Sequence, residues 1–233
     1  MPQDARDLAA FYDAPLGRLA RRAILHEILG LWPSLRNYRL LGYGFAIPYL
    51  PAFTGTERSI AAVPAPMGVI GWPDGKNATL LCEEDALPFP DVFFDRILIV
   101  HGLESSDSLR ALLRQLWRVL APEGRILMVV PNRASLWAQV QKSPFGHGRP
   151  FSRMELQGLL KDALFEPVRW GRALYAPPFE SVTRSGTGWE KMGARLFPGV
   201  GGVHVVEAAK SLYAAATPLP KGVKIALTAA KDY

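Results

Sequence analysis

The sequence predicts a doubly wound α/β domain, a mainly parallel sheet with helices on both faces. Three observations carry this. The runs Arg96–Val100 (RILIV) and Ile126–Val130 (ILMVV) are apolar without polar alternation, as strands covered on both faces are. Between them Leu109, Leu112, Leu113, Leu116, Val119 and Leu120 recur at helical spacing, while Arg110, Arg114 and Arg118 face away. Strand, helix and strand at this length make a right-handed βαβ crossover.

The other elements follow in order. Asp13 can cap a helix from about Pro15 to Leu31, with Pro15 in its first turn and Leu16, Leu19, Ala23, Ile24, Ile28 and Leu31 as the buried stripe. Pro33 stops it. Arg39–Gly42, Ser59–Val63 and Thr79–Cys82 read as three short strands. The crossovers between them contain Pro48, Pro51 and Gly55, then Pro64, Pro66, Gly68, Gly71, Pro73 and Gly75. Helices there must be short or absent, since Pro and Gly disfavour helix interiors. Ser106 or Asp107 can cap the helix after the fourth strand, and Pro122-Glu123-Gly124 turns the chain into the fifth. Ser152-Arg153-Met154-Glu155 has capping-box spacing, so a helix starts near Arg153 and runs to about Ala163. A sixth strand is expected over Val168–Leu174, a helix from Val205 to Ala216 and a last strand over Val223–Ala229. No repeat or linker is visible. The reading is one domain over residues 1–233, with a helical extension over 1–35 and an insertion over 175–221 before the last strand.

Composition narrows the function. Hydrophobic residues are 49% and charged residues 21%, so a buried core is available and a disordered chain is excluded. A single cysteine excludes a disulfide framework, and the scattered His26, His101, His147 and His204 form no metal-ligand pair; no metal is expected. Asp4, Arg6, Asp7 and Asp13 stand where a signal peptide needs an apolar stretch, which points to a soluble, cytoplasmic protein with no membrane partner. The net charge of +6 is uneven: eight acids face two bases between Asp74 and Asp107. The basic remainder either serves solubility or meets an anionic partner. Without a Lys/Arg run or an RNA-binding aromatic motif, nucleic acid is not the expected partner.

In such a sheet, ligands bind outside the carboxyl ends of the strands where strand order switches. The first strand runs there into LLGYGFAIPYL, whose glycines allow close backbone approach or simply a tight turn. No P-loop is present, and the G-x-G-x-x-G with a following acid that a dehydrogenase wants is missing.

The stretch EDALPFPDVFFDRILIVHGLE, followed by LRQLWRVLAPEGRILMVVPNR, resembles the class I SAM-dependent methyltransferases of the type 11 branch. Asp85-Ala86-Leu87-Pro88-Phe89, Phe94-Asp95 and Arg118–Gly124 carry the match, with Glu123 where glycine is usual. The resemblance is specific over residues 83–133, an outline from residue 40 onward, and thin after 162. It implies a Rossmann-like methyltransferase sheet of seven strands, six parallel and the last antiparallel, with S-adenosyl-L-methionine (SAM) as cofactor. By it, Gly42, Tyr43, Gly44 and Ala46 would line the methionine and ribose part of SAM. Asp85 would accept from the adenine amino group, the Ala86 N–H would reach an adenine nitrogen, and His101 would lie near the methyl donor or its substrate. Plainer alternatives stand beside these roles: a solvated loop acid for Asp85, strand-end packing for His101, core packing for Tyr12, a loop histidine for His147 and a buried small apolar residue for Cys82.

The departures matter as much. Leu40 replaces the acid before the first glycine, Ala46 replaces the third glycine, and no carboxylate occurs from Ser59 to Trp72, where an acid normally takes both ribose hydroxyls. Two lost charged hydrogen bonds weaken binding by roughly 10²–10⁴-fold, with Glu57 a poorly placed substitute. Side chains such as Phe45 or Leu40 could also plug the hollow behind the first strand. Two functions follow: a SAM-dependent methyltransferase for a small-molecule acceptor, or a methyltransferase fold that no longer catalyses and binds a protein partner. Catalytic residues are not assigned.

Overall fold

Seven strands form one sheet in the order β3-β2-β1-β4-β5-β7-β6 in a computed structural model that describes residues 3–73, 75–141, 143–179, 186–197 and 199–211. The strands are β1 (Arg39–Gly44), β2 (Arg58–Pro64), β3 (Thr79–Cys82), β4 (Phe94–Val100), β5 (Leu120–Pro131), β6 (Phe165–Ala173) and β7 (Val203–Lys210). β7 runs antiparallel to both neighbours, β5 and β6, and the other six strands are mutually parallel. This is the sheet the resemblance implied.

The helices are α1 (Ala5–Asp13), α2 (Pro15–Leu31), α3 (Leu109–Val119), α4 (Arg153–Asp162) and α5 (Gly186–Leu196). Alternate strand residues feed two cores. Leu40, Ala61, Val63, Leu98, Val100, Leu127, Val129, Val203 and Val205 pack with α1 and α2, and Leu41, Ala62, Ile97, Ile99, Ile126, Met128, Val206 and Ala208 pack with α3 and α4. The β1–β2 and β2–β3 crossovers contain only 3₁₀ turns, Leu50–Ala52 and Ala65–Met67, as their prolines and glycines predict. The face they leave bare is covered by the N-terminal helix pair.

Several boundaries differ from the sequence reading. Residues 205–210, expected to be helical, form the antiparallel strand: Val205, Val206, Ala208 and Ala209 make too short an apolar pattern to separate strand from helix. The expected strand at 223–229 lies outside the described residues. Asp13 does not cap α2 but ends α1; Ala14 is the N-cap and Pro15 the first helical residue. Neither Ser106 nor Asp107 is the N-cap of α3. Ser108 is, and the Glu84 carboxylate from the β3–β4 loop accepts from Ser108 N at 2.7 Å and Ser106 Oγ at 2.5 Å. That negative charge suits a helix N-terminus. The Pro122–Gly124 stretch is a bulge inside β5, where pairing jumps from Phe94–Leu120 to Arg96–Arg125. The Ser152–Glu155 capping box forms as expected, and its hydrogen bonds from Ser152 pull the Glu155 carboxyl down to about 2.

Candidate functional site

β1 lies between β2 and β4, so strand order reverses at β1/β4, and their carboxyl ends flank the crevice where ligands bind in such sheets. Gly44 pairs with Val100 there and has φ +79°, a conformation that suits glycine. A Cβ at Gly44 would stand 2.3 Å from Val100 O and 2.7 Å from Gly102 N. One at Gly42 would stand 2.9 Å from the Ala46 Cβ and 3.0 Å from Leu50 Cδ1. Both glycines therefore let the chain pack on itself. The Tyr43 ring covers Gly102, where an added Cβ would come within 2.8 Å of it. Its buried hydroxyl oxygen has no hydrogen-bond partner.

His101 follows β4 directly and has φ +53°, strained for a non-glycine residue. Such strain is a recurrent mark of functional positions. The side chain is 1% exposed and joins a buried polar chain. His101 Nε2 lies 2.8 Å from Tyr12 Oη, Tyr49 Oη donates to Tyr12 Oη at 3.1 Å, and His101 Nδ1 lies 3.1 Å from Glu104 Oε1. Glu104 Oε2 is buried without a hydrogen-bond partner. Phe45 stacks on Tyr12 with ring centroids 6.0 Å apart, and Phe145 lies 5.0 Å from the imidazole. Burial pushes the Tyr12 phenol well up, helped by Tyr49 and by the Glu104 charge; burial also raises Tyr43 and Tyr49. All three are neutral donors at working pH.

The structure thus gathers Gly42, Tyr43, Gly44, Ala46 and His101 at the switch point, all buried. Asp85 and Ala86 lie apart, in an exposed turn beyond the edge strand β3, with Ala86 N donating to Glu83 O at 3.3 Å. Glu57 cannot replace the missing ribose acid: it precedes β2, at the amino end of the sheet. Phe45 and Leu40 are both buried, Phe45 within the aromatic cover and Leu40 in the core. His147 bonds Gln141 O in its own loop, and Cys82 is a buried thiol raised to about 12 by burial. Glu104, Tyr49 and Phe145 escaped sequence reading. Glu104 lies three residues after His101, Phe145 packs on the imidazole from a distant loop, and Tyr49 reaches it only through Tyr12.

A family described as "Methyltransferase domain" matches residues 67–128. Over this segment the chain is similar to that family. Among curated proteins it is similar to ubiquinone/menaquinone biosynthesis C-methyltransferase UbiE of Paraburkholderia phymatum, 35% identical over 65 residues, 28% of this chain and 26% of that one. It is likewise similar to UbiE of Pectobacterium carotovorum, 35% identical over 82 residues, 32% of this chain and 33% of that one. The chain thus spans a quarter to a third of the length of these relatives. Among solved structures it resembles a methyltransferase in complex with the Trm112 activator of Haloferax volcanii, with a TM-score of 0.64, 16% identity and coverage of 88% and 97%. A possible histamine N-methyltransferase of Thermotoga maritima gives 0.59, 21%, 84% and 91%. A Burkholderia thailandensis 1,6-didemethyltoxoflavin-N1-methyltransferase, solved with S-adenosylhomocysteine, gives 0.51, 18%, 85% and 79%. These likenesses establish the fold.

The site's residues fit SAM at one end. Two buried oxygens lack hydrogen-bond partners: Tyr43 Oη, whose ring packs in the core on the α3 and α4 side, and Glu104 Oε2, whose other oxygen meets His101. At the end of β2, Val63-Pro64-Ala65-Pro66 offers no carboxylate to a ribose. Among the described residues no group of three or more His, Cys, Asp or Glu could hold a metal. No described helix is long and apolar enough to cross a membrane.

Proposed function

We propose that this chain, as one methyltransferase-like domain, binds SAM and transfers its methyl group to a small-molecule acceptor in the cytoplasm. The observation that carries the reading is the buried Glu104–His101–Tyr12–Tyr49 chain, which holds the strained His101 just past the carboxyl end of β4. When bound, SAM supplies an activated methyl on a sulfonium, so the protein's task is alignment and exclusion of water. The backbone of Gly42, Tyr43, Gly44 and Ala46 would hold the methionine and ribose part, and the Asp85–Ala86 turn the adenine. Tyr12, Phe45, Tyr49 and Phe145 exclude water around His101. On this reading His101, held by Glu104, would take a proton lost by the acceptor once Tyr12 leaves its Nε2. With Tyr12 on His101 Nε2, α1 closes the crevice, and ligand entry requires α1 to shift.

A second reading has its own observation: aromatic side chains close the glycine bend and no acid follows β2. On that reading the fold no longer catalyses and binds or regulates a protein partner. Calorimetric titration with SAM and S-adenosylhomocysteine separates the two. Micromolar binding, weakened by Asp85→Ala, supports the enzyme. Absence of heat at millimolar ligand supports the partner protein, which co-purification would then identify.

A further inference from the structure

One helix turns its apolar side outward. On α5, Trp189, Met192 and Leu196 recur at i, i+3 and i+7, so they share one stripe, and they are 41%, 48% and 60% exposed. Phe197 N donates to Gly193 O at 2.8 Å, which carries the turn one residue on, and Phe197 is 62% exposed. Val200, also exposed, sets its N–H on Phe197 O at 3.1 Å. The other side of α5 holds the body of the domain: Glu190 Oε1 accepts from Ala176 N at 3.0 Å, and a Cβ at Gly193 would stand 2.6 Å from Tyr175 Cβ. Glu190 is also the only acid from Ser181 to Val206, against the bases Arg184, Lys191 and Arg195. Its inward hydrogen bond takes that acid off the outer side, where Arg195 is exposed. Large apolar side chains grouped in water mark a contact surface. This one is a single helix flanked by positive charge, with tryptophan in its stripe and no outward carboxylate, the pattern of a helix that lies in a lipid–water interface.

We propose that α5, with Phe197 and Val200 after it, docks this protein on the surface of an anionic phospholipid bilayer. The apolar stripe enters the headgroup boundary, and Arg195 meets lipid phosphate. The sequence reading expects no membrane partner, and no described helix spans one; a helix lying in the interface is a different contact. α5 packs on Tyr175 and Ala176, just past the carboxyl end of β6, so docking presents to the lipid the end of the sheet that carries the switch-point crevice. This docking is independent of SAM binding.

The test is co-sedimentation of the full chain with vesicles of phosphatidylcholine alone and of phosphatidylcholine and phosphatidylglycerol in equal parts. The wild type binds the anionic vesicles at least about fivefold more tightly than the neutral ones, the effect of one basic side chain near a charged surface. Leu196→Ser with Phe197→Ser, at two exposed positions, weakens binding to anionic vesicles at least about tenfold; circular dichroism verifies that this variant is folded. The net charge of +6 by itself draws the chain to anionic surfaces, so binding that the folded double variant keeps in full overturns the inference. A dye on Leu196→Cys reads the contact directly, since Cys82 is buried. Its emission shifts to the blue on anionic vesicles, and an unshifted emission overturns the docking. Equal binding to both vesicles, no binding to either, or a dimer formed through this face in their place overturns it as well.

Discussion

Tyr12→Phe isolates the contribution of one hydroxyl to the buried chain. The ring stays stacked on Phe45, but Tyr12 Oη holds two hydrogen bonds, to His101 Nε2 at 2.8 Å and from Tyr49 Oη at 3.1 Å. Removing it strands an acceptor and a donor, both buried. Each stranded buried group costs about 1–3 kcal/mol, so the substitution destabilises by about 2–6 kcal/mol. For a domain of this size that lowers Tm by roughly 4–24 °C. Tyr49→Phe serves as the control. It removes a single donor, and Tyr12 keeps its bond to His101, so the cost is about 0.5–1.5 kcal/mol. Urea unfolding followed by circular dichroism, extrapolated linearly to water, reads both values. If Tyr12→Phe costs no more than Tyr49→Phe, the Tyr12 hydroxyl does not link Tyr49 to His101 as described.

Three further outcomes are expected. Gly44→Ala places a Cβ 2.3 Å from Val100 O at φ +79°; about 1–2 kcal/mol for the left-handed backbone and about 1–3 kcal/mol for crowding add to a loss that thermal melting should detect, and a variant within about 0.5 kcal/mol of wild type would show the bend to be looser than described. Ser152→Ala breaks the capping box and should cost about 1 kcal/mol in denaturant melts, whereas Met154→Ala, at an exposed position beside it, should be close to neutral. His204 is driven down to about 4 by burial and then by the charges of Arg172 and Arg153. The unfolded chain binds that proton first as pH falls below about 6.5, so stability drops between about pH 6.5 and 4 with a slope of at most about 1.4 kcal/mol per pH unit. His204→Phe should flatten this part of the pH profile, and an unchanged slope would assign the effect to other groups.

What the sequence determined by itself is whatever short-range pattern encodes. Unbroken apolar runs marked β4 and β5, leucine spacing marked α3, Ser152 and Glu155 marked the start of α4, and prolines removed helices from the first two crossovers. Each depends on residues a few positions apart, where backbone preference and burial act together. Tertiary structure alone decided the rest. The run over 203–210 becomes a strand because β5 and β6 flank it with open hydrogen-bonding edges, and nothing within the run selects strand over helix. Glu84 serves the α3 N-terminus across 24 residues, and Tyr12 reaches His101 across 89. A carboxylate, an imidazole and two phenols acquire meaning only when folding removes water from all of them at once, because a polar group becomes costly, and selective for its partner, only after it is buried.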